Sequence, residues 1–302
     1  MSFKHVAIIG LGLLGGSIGL AVRQHLPGTV TTGYDSDAAV RIRAAERQLA
    51  DTICDSAAEA VKGADLVILC VPVGAMGDAA RAMAEALEPG ALVSDVGSSK
   101  QSISRALAEA LPGHEVIPAH PVAGTEDSGP DAGFATLFHQ RWCIITPPEG
   151  ADPERVAALA DFWQALGAMV DTMDPQHHDR VLAVTSHIPH LIAYTIVGTA
   201  SDLETVTRSE VIKYSAGGFR DFTRIAASDP TMWRDVFLHN RDAVLEMLDS
   251  FLTDLALMRE AIRAGDGETM FDLFSRTREV RRSIVAIGQD DARPDFGRKD
   301  HD

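Results

Sequence analysis

The sequence predicts an α/β domain with a parallel sheet over residues 1–173, an all-α domain over 174–290 and a short tail over 291–302. Three observations carry that division. The chain opens on a β-branched run broken by glycines and continued by a small-residue helix, KHVAIIGLGLLGGSIGLAVRQ. A later run, ADLVILCVPV, is apolar without interruption, as in a strand buried on both faces of a parallel sheet. From about Asp174 the pattern becomes helical, with few glycines and no further alternation.

Bulk properties bound the function. A chain of 302 residues exceeds what one hydrophobic core usually spans, which favours two domains. Hydrophobic residues at 46% and charged residues at 23% argue against disorder, a fibre or a membrane protein. The 43 Asp plus Glu against 27 Lys plus Arg leave a formal charge of −16. Nucleic acid and anionic membranes both need a basic face, so neither is an expected partner. An anionic substrate must then be captured by a few local arginines. Cys54, Cys70 and Cys143 are widely spaced among apolar neighbours and read as buried thiols in a reducing cytoplasm. The run Val6 to Val22 contains five glycines and is followed by no small-x-small cleavage site, unlike a signal peptide. Leu66 to Met76 is too short to span a bilayer, so a soluble cytoplasmic protein is expected.

In the first unit, Gly10 permits a tight turn, Gly12 lets the backbone approach a pyrophosphate, and Gly15 allows close helix–strand packing. The second strand, TVTTGYD, ends on Asp35, placed to accept hydrogen bonds from a ribose, while the helix N-terminus faces the phosphates. Strand, glycines, helix, strand and acid in register specify a Rossmann-type dinucleotide-binding domain. A carboxylate at Asp35 would repel a 2′-phosphate, so NAD is preferred to NADP, with Ser36 and Arg41 softening the preference.

A helix over Ala38 to Ala50 follows, and ADLVILCVPV then ends at Val71 and Pro72, on the carboxyl edge where such sheets bind ligands. A helix to Leu87 precedes GALVSDVGSSK, a strand ending at Asp95 with Ser98 just beyond it. Ser98 is expected close to the nicotinamide or to the substrate, and it can also cap the next helix, since the two roles are compatible. The expected cofactor-binding set is therefore Gly10, Gly12, Leu13, Leu14, Gly15, Asp35, Val71, Pro72 and Ser98. HEVIP, a short strand, leads into HPVAGTEDSG, which is too polar and too glycine-rich for a strand or helix interior and reads as a loop presenting His120. WCIITP and MVDTM are two more strands flanking a helix.

The second half holds two pairs. SHIPH sets His187 and His190 three apart on one helical face, with Pro189 costing about 3 kcal/mol relative to alanine, a defect that hints at a site. No third residue at ligand spacing supports a metal there. Arg220 and Arg224 are four apart, hence stacked on one helical face, among Phe219, Phe222 and Ile225. There they fit bidentate carboxylate binding, whereas a pairing with Asp221 would mark a solvated face. Long amphipathic helices from about Pro230 to Ile287 supply core and a subunit interface, so a homodimer is expected; DDARPDFGRKDHD is expected to be disordered.

HPVAGTEDSG, SHIPH and GGFRDFTRIAASDPTMW, in this order behind a glycine fingerprint, resemble the prephenate and arogenate dehydrogenases of tyrosine biosynthesis, over about Lys4 to Ile287. The resemblance implies an oxidative decarboxylation in which the ring C4 hydrogen leaves as hydride to NAD while the ring loses CO2 and becomes aromatic. It implies that His120 draws the proton from the 4-hydroxyl, that Ser98 shares that hydroxyl, and that Arg224 binds a substrate carboxylate. Arg220 stands where members carry lysine or arginine, His187 and His190 line the pocket, and Thr125 and Glu126 close over it. A regulatory domain after the helices is not expected. Arogenate would favour a nearby acid, and LFHQRWCIITP offers none, so prephenate is the expected substrate, with arogenate or dual use as the alternative. Two rivals are a β-hydroxyacid-type dehydrogenase and a non-catalytic NAD sensor. The first needs a lysine that the helical half supplies only as Lys213; the second has no need to keep His120, Ser98 and Arg224 together.

Overall fold

A computed structural model describes residues 3–125, 127–202 and 217–286. Glu126, Lys213 and the 291–302 tail lie outside the described residues.

The chain begins β1 (His5–Ile9), α1 (Leu13–His25), β2 (Val30–Tyr34), α2 (Ala38–Glu46), β3 (Thr52–Ile53), α3 (Ala57–Val61) and β4 (Leu66–Leu69). It continues with α4 (Met76–Met83), β5 (Leu92–Asp95), α5 (Lys100–Ala110) and β6 (Glu115–Val116). The six strands pair in parallel in the order β3-β2-β1-β4-β5-β6, a doubly wound sheet whose switch point lies between β1 and β4. The apolar runs follow from two-sided burial. Val6, Ile8, Leu66, Ile68 and Leu92 enter one core with Phe138 and Trp163. Their neighbours Ala7, Ile9, Val67, Leu69 and Val93 enter the opposite core with Met76, Met83 and Leu107. With both faces covered, no position is left for a polar alternate.

A second sheet holds β7 (Ala119–Pro121), β8 (Trp142–Ile145) and β9 (Met169–Thr172), with α6 (Pro153–Ala165) between the last two. Strand β7 runs antiparallel to β8, and β9 parallel to it. This corrects the loop expected around His120. His120 sits inside β7, opposite Ile144 and buried, and the irregular stretch starts only at Val122. A three-residue strand is too short to show alternation, and the polar residues after it masked its end.

Asp174 accepts hydrogen bonds from the amides of Gln176 and His177 and so starts α7 (Pro175–Leu182). A π-helical turn, Ala183–His187, and α8 (Ile188–Asp202) continue it. Pro189 lies two residues past the π turn, in the first turn of α8, where the wider ladder before it helps accommodate its missing N–H and its ring. By length and composition the stretch Pro175–Asp202 could cross a membrane, a span that the apolar runs above did not reveal; 28% of its most apolar window is buried. Helices Gly217–Thr223, Pro230–His239, Arg241–Ala264 and Gly267–Ala286 follow.

The chain forms two compact units. The first runs to Val244 and includes both sheets and the helices as far as Pro230–His239. The second begins at Leu245; its helices carry Leu252, Leu255, Phe271 and Phe274 at least half exposed.

Candidate active site

The nucleotide end of the site is built by glycines. Gly10 has φ +101°, and a Cβ there would stand 2.5 Å from the carbonyl oxygen of Cys70, so only glycine fits the turn between β1 and α1. A Cβ on Gly15 would lie 1.9 Å from the carbonyl oxygen of Gly10, which makes close packing of α1 on the turn depend on glycine too. At Gly12 nothing stands within 4 Å of such a Cβ, the open approach that a pyrophosphate needs. The amides of Leu13 and Leu14, on the first turn of α1, have no partners within their own helix. Asp35 accepts hydrogen bonds from Leu11 N–H and Asp37 N–H, both at 2.9 Å, and so also ties the end of β2 to the glycine turn. Arg41 donates to the carbonyl of Asp35 and lies over the Tyr34 ring. Val71 touches the turn at Gly10, and Pro72 starts the 3-10 turn Val73–Ala75.

His120 lies on β7, in the second sheet. Its Nδ1 is 2.9 Å from Nε2 of His178, and Nδ1 of His178 is 2.9 Å from Oδ1 of Asp179. The same carboxylate accepts Lys100 N–H at 2.7 Å and Gln101 N–H at 3.0 Å, so Asp179 of α7 caps α5 from across the fold. Burial works against charge on Asp179, but the bonds from His178, Lys100 and Gln101 hold its carboxyl below the ordinary range. Burial, aided by His178, Lys100 and His187, pushes the His120 imidazole well below 6.5, so it is neutral at neutral pH. Lys100, wholly buried, donates to Asp95 at 2.6 Å and to the carbonyl of Ala119 at 2.7 Å, pinning the residue before His120.

Ser98 is half-buried, two residues before Lys100. The capping role considered for it is excluded: Ser99 occupies the cap position without a side-chain bond, and Asp179 satisfies the amides. Thr125 accepts from Asp127 N–H in a local turn.

The helical half contributes two more imidazoles. Asn240 donates through Nδ2 to the carbonyl of Asp179 at 2.8 Å and to Nδ1 of His187 at 3.0 Å. A carbonyl can only accept, so Nδ2 is the atom that faces both groups, and His187 carries its proton on Nε2. That N–H is buried and has no partner among the described residues. Burial pushes His187 down to about 4. His190 donates from Nδ1 to the carbonyl of Ser186 and stacks on Trp233, with ring centroids 3.6 Å apart. Arg224 is close enough to lower the His190 imidazole electrostatically. The shared helical face expected of the arginines is corrected: the helix ends at Thr223, Arg224 opens a 3-10 turn, and Arg220 is exposed with Asp221 as its partner. Among the described residues no group of three His, Cys, Asp or Glu side chains could hold a metal ion.

Sequence reasoning missed His178, Asp179, Lys100 and Asn240 as site residues. His178 lies 58 positions from His120, and no local spacing signals such a contact.

Two family models match the chain: "Prephenate dehydrogenase, nucleotide-binding domain" over residues 18–172 and "Prephenate dehydrogenase, dimerization domain" over 174–276. A cyclohexadienyl dehydrogenase of Zymomonas mobilis is 45% identical over 282 residues, 93% of this chain and 96% of that protein. A prephenate dehydrogenase of Bacillus subtilis is 34% identical, over 92% of this chain and 76% of that one. Among solved structures, prephenate dehydrogenase from Aquifex aeolicus, in complex with hydroxyphenyl propionate and NAD+, superposes with a TM-score of 0.86 at 32% identity. That match covers 94% of this chain and 99% of the other. A doubly wound nucleotide-binding sheet, the helices after it and both matched models together place the chain in the prephenate dehydrogenase family, as an oxidoreductase with a Rossmann-type domain and a helical dimerisation domain.

Proposed function

We propose that this chain catalyses the NAD-dependent oxidative decarboxylation of prephenate to 4-hydroxyphenylpyruvate. The observation that carries the reading is His120: a buried, neutral imidazole hydrogen-bonded at one nitrogen, on the β7 strand of the second sheet, where Lys100, just past β5 of the glycine-turn sheet, holds the carbonyl of Ala119. NAD fits this chain through the open approach at Gly12, the free amides of Leu13 and Leu14, and Asp35, with Val71, Pro72 and Ser98 beside the nicotinamide end. Bound there, NAD+ supplies the acceptor for the hydride from C4.

The remaining steps belong to the protein. His120 takes the proton of the 4-hydroxyl as C4 becomes electron-poor, and a carbonyl forms. Loss of CO2 returns an electron pair to the ring, and the resulting phenolate oxygen takes the proton back. No proton is released overall, so His120 lends its site to the proton. Ser98 shares the hydroxyl, Arg224 holds a carboxylate, and His187 offers its buried N–H to an acceptor on the substrate. His190 and Thr125 complete the pocket wall, and the same substrate-binding role is proposed for Arg220 and for Glu126, which lies outside the described residues. The helical half serves as the contact between two copies in a soluble homodimer, which would cover the exposed leucines and phenylalanines of the last helices.

A second reading is favoured by the relative named cyclohexadienyl dehydrogenase: arogenate is also a cyclohexadiene and would give tyrosine directly. Initial rates with prephenate and arogenate, each with NAD and NADP, separate the two. NADH formation with prephenate is expected; no NADH with either substrate refutes the assignment.

A further inference from the structure

We infer that Asp179 and His178 form a positioning chain that fixes the tautomer of His120, leaving its Nε2 as the unprotonated, substrate-facing nitrogen. The inference deepens the proposed function and rests on its reading of His120 as the base.

Asp179 already accepts two backbone N–H groups and carries a depressed carboxyl pKa, so it is a carboxylate, which can only accept. His178 Nδ1, 2.9 Å from it, must therefore carry a proton. Neutral imidazole has one proton, and burial disfavours a second on His178, so its Nε2 is a lone pair. That lone pair lies 2.9 Å from His120 Nδ1, which must then be N–H. His120 is itself kept neutral by burial, and its Nε2 is left bare. In free imidazole side chains the proton prefers Nε2, the tautomer that cannot act as a base there. The chain reverses that preference.

The ring geometry supports the assignment. His120 and His178 meet edge to face, with centroids 5.1 Å apart and planes at 67°. His178 is fully buried, in a helix begun by Asp174 and held to α5 through Asp179, so it has little freedom to leave the line. The contact to His178 through Nδ1 is the hydrogen bond that His120 makes from its ring among the described residues, which leaves Nε2 without one there. The charged neighbours of the pair are Lys100 and Asp95 from the β5–α5 segment, and the neutral His187 lies on the helical side. Asp95 and Lys100 pair with each other, which leaves Asp179 as the carboxylate that sets the direction of the chain. When His120 Nε2 receives the hydroxyl proton, the positive charge is shared along Nδ1–H to His178 and met by Asp179. Because the proton returns to the product, the chain stabilises the imidazolium and discharges nothing to solvent.

Two measurements test this. Imidazole 15N spectra of the protein without ligands should show His120 with Nδ1 protonated and Nε2 bare. In parallel, His178→Phe removes the acceptor, and His178→Gln restores one through its amide oxygen. His178→Phe should lower kcat by about 100-fold, the scale of losing a correctly disposed general base, with KM for prephenate within about threefold. His178→Gln should recover most of that loss, which a purely structural role for an aromatic ring would not produce. A proton on Nε2 of His120 in the spectra overturns the inference, as does a kcat for His178→Phe within threefold of the parent. An active His120→Asn variant would instead remove the underlying reading of the base. An inactive His120→Asn beside a fully active His178→Phe would remove this inference alone. Should His178→Phe not fold, the spectra and the His178→Gln rates decide.

Discussion

Replacing Lys100 by methionine removes an ammonium that lies 2.6 Å from Oδ2 of Asp95 and 2.7 Å from the carbonyl oxygen of Ala119, with both charged side chains fully buried. Methionine fills the space, so the loss is electrostatic. Asp95 keeps the bond from Gly97 N–H at 2.7 Å, and its Oδ1 has no hydrogen-bond partner among the described residues. Leaving a buried charge without its partner costs about 3–5 kcal/mol. Protonation sets a ceiling, since bringing a carboxyl of reference pKa 3.8 to its neutral form at pH 7 costs about 4 kcal/mol at ~1.4 kcal/mol per unit. Burial already raises the Asp95 carboxyl, and Lys100 restrains that rise; without Lys100 it rises further. A carboxyl whose folded pKa is raised loses stability as pH increases. Variant and parent should thus converge in acid and diverge upward by at most about 1.4 kcal/mol per pH unit. Urea denaturation at pH 5, 6, 7 and 8 should show a loss of about 3–4 kcal/mol at pH 7 that shrinks at pH 5. A loss below about 1 kcal/mol, or one independent of pH, would refute the reasoning.

His120→Asn should lower kcat by about 100-fold or more with little change in KM, read as NADH absorbance, because the proton moves only as the transition state forms. In the parent, the acid limb of kcat/KM should lie below pH 6.5: burial depresses the His120 pKa, so the base stays neutral until the medium is more acidic than an ordinary imidazole requires. A limb at or above 6.5 would place the base elsewhere, whereas an active His120→Asn variant would make His190 the first candidate. Arg224→Ala should raise KM for prephenate by about 10- to 100-fold, the scale of a charge-assisted hydrogen bond, with a smaller effect on kcat; an unchanged KM would make the arginine structural.

What could be read from the sequence was whatever depends on local pattern. Gly10 and Gly15 announce themselves because a fixed turn leaves no room for a Cβ, and their spacing encodes that constraint. The two-faced burial of β4 is equally local, since each residue of LVIL enters one core or the other. His120 was recognisable by its motif, but its strand was not, because β7 is three residues long and owes its existence to pairing with β8. Asp179 illustrates what stays hidden. It caps α5, some 79 positions earlier, and turns His178 toward His120, so its role appears only once α7 packs on α5. Arg220 shows the opposite error: a four-residue spacing implied a common face, but the helix stops at Thr223 before that face is complete.

The burial that makes His120 neutral also makes it a weak base, and the two effects are reconciled by what enters the site. Without ligand, burial comes first among the causes of its low pKa, followed by His178, Lys100 and His187. Prephenate brings two carboxylates into the same low-dielectric space, and nearby negative charge favours the imidazolium. Basicity therefore rises when substrate is bound, at the moment a proton is to be taken, and falls again as the carboxylate carbon departs as neutral CO2. That fall helps return the proton to the phenolate oxygen. A surface histidine near its ordinary pKa would be screened by water and would feel little of either change. With His120 as the proposed base, the closed packing of β7, α5 and α7 around it lets the substrate's own charge drive the proton out and back.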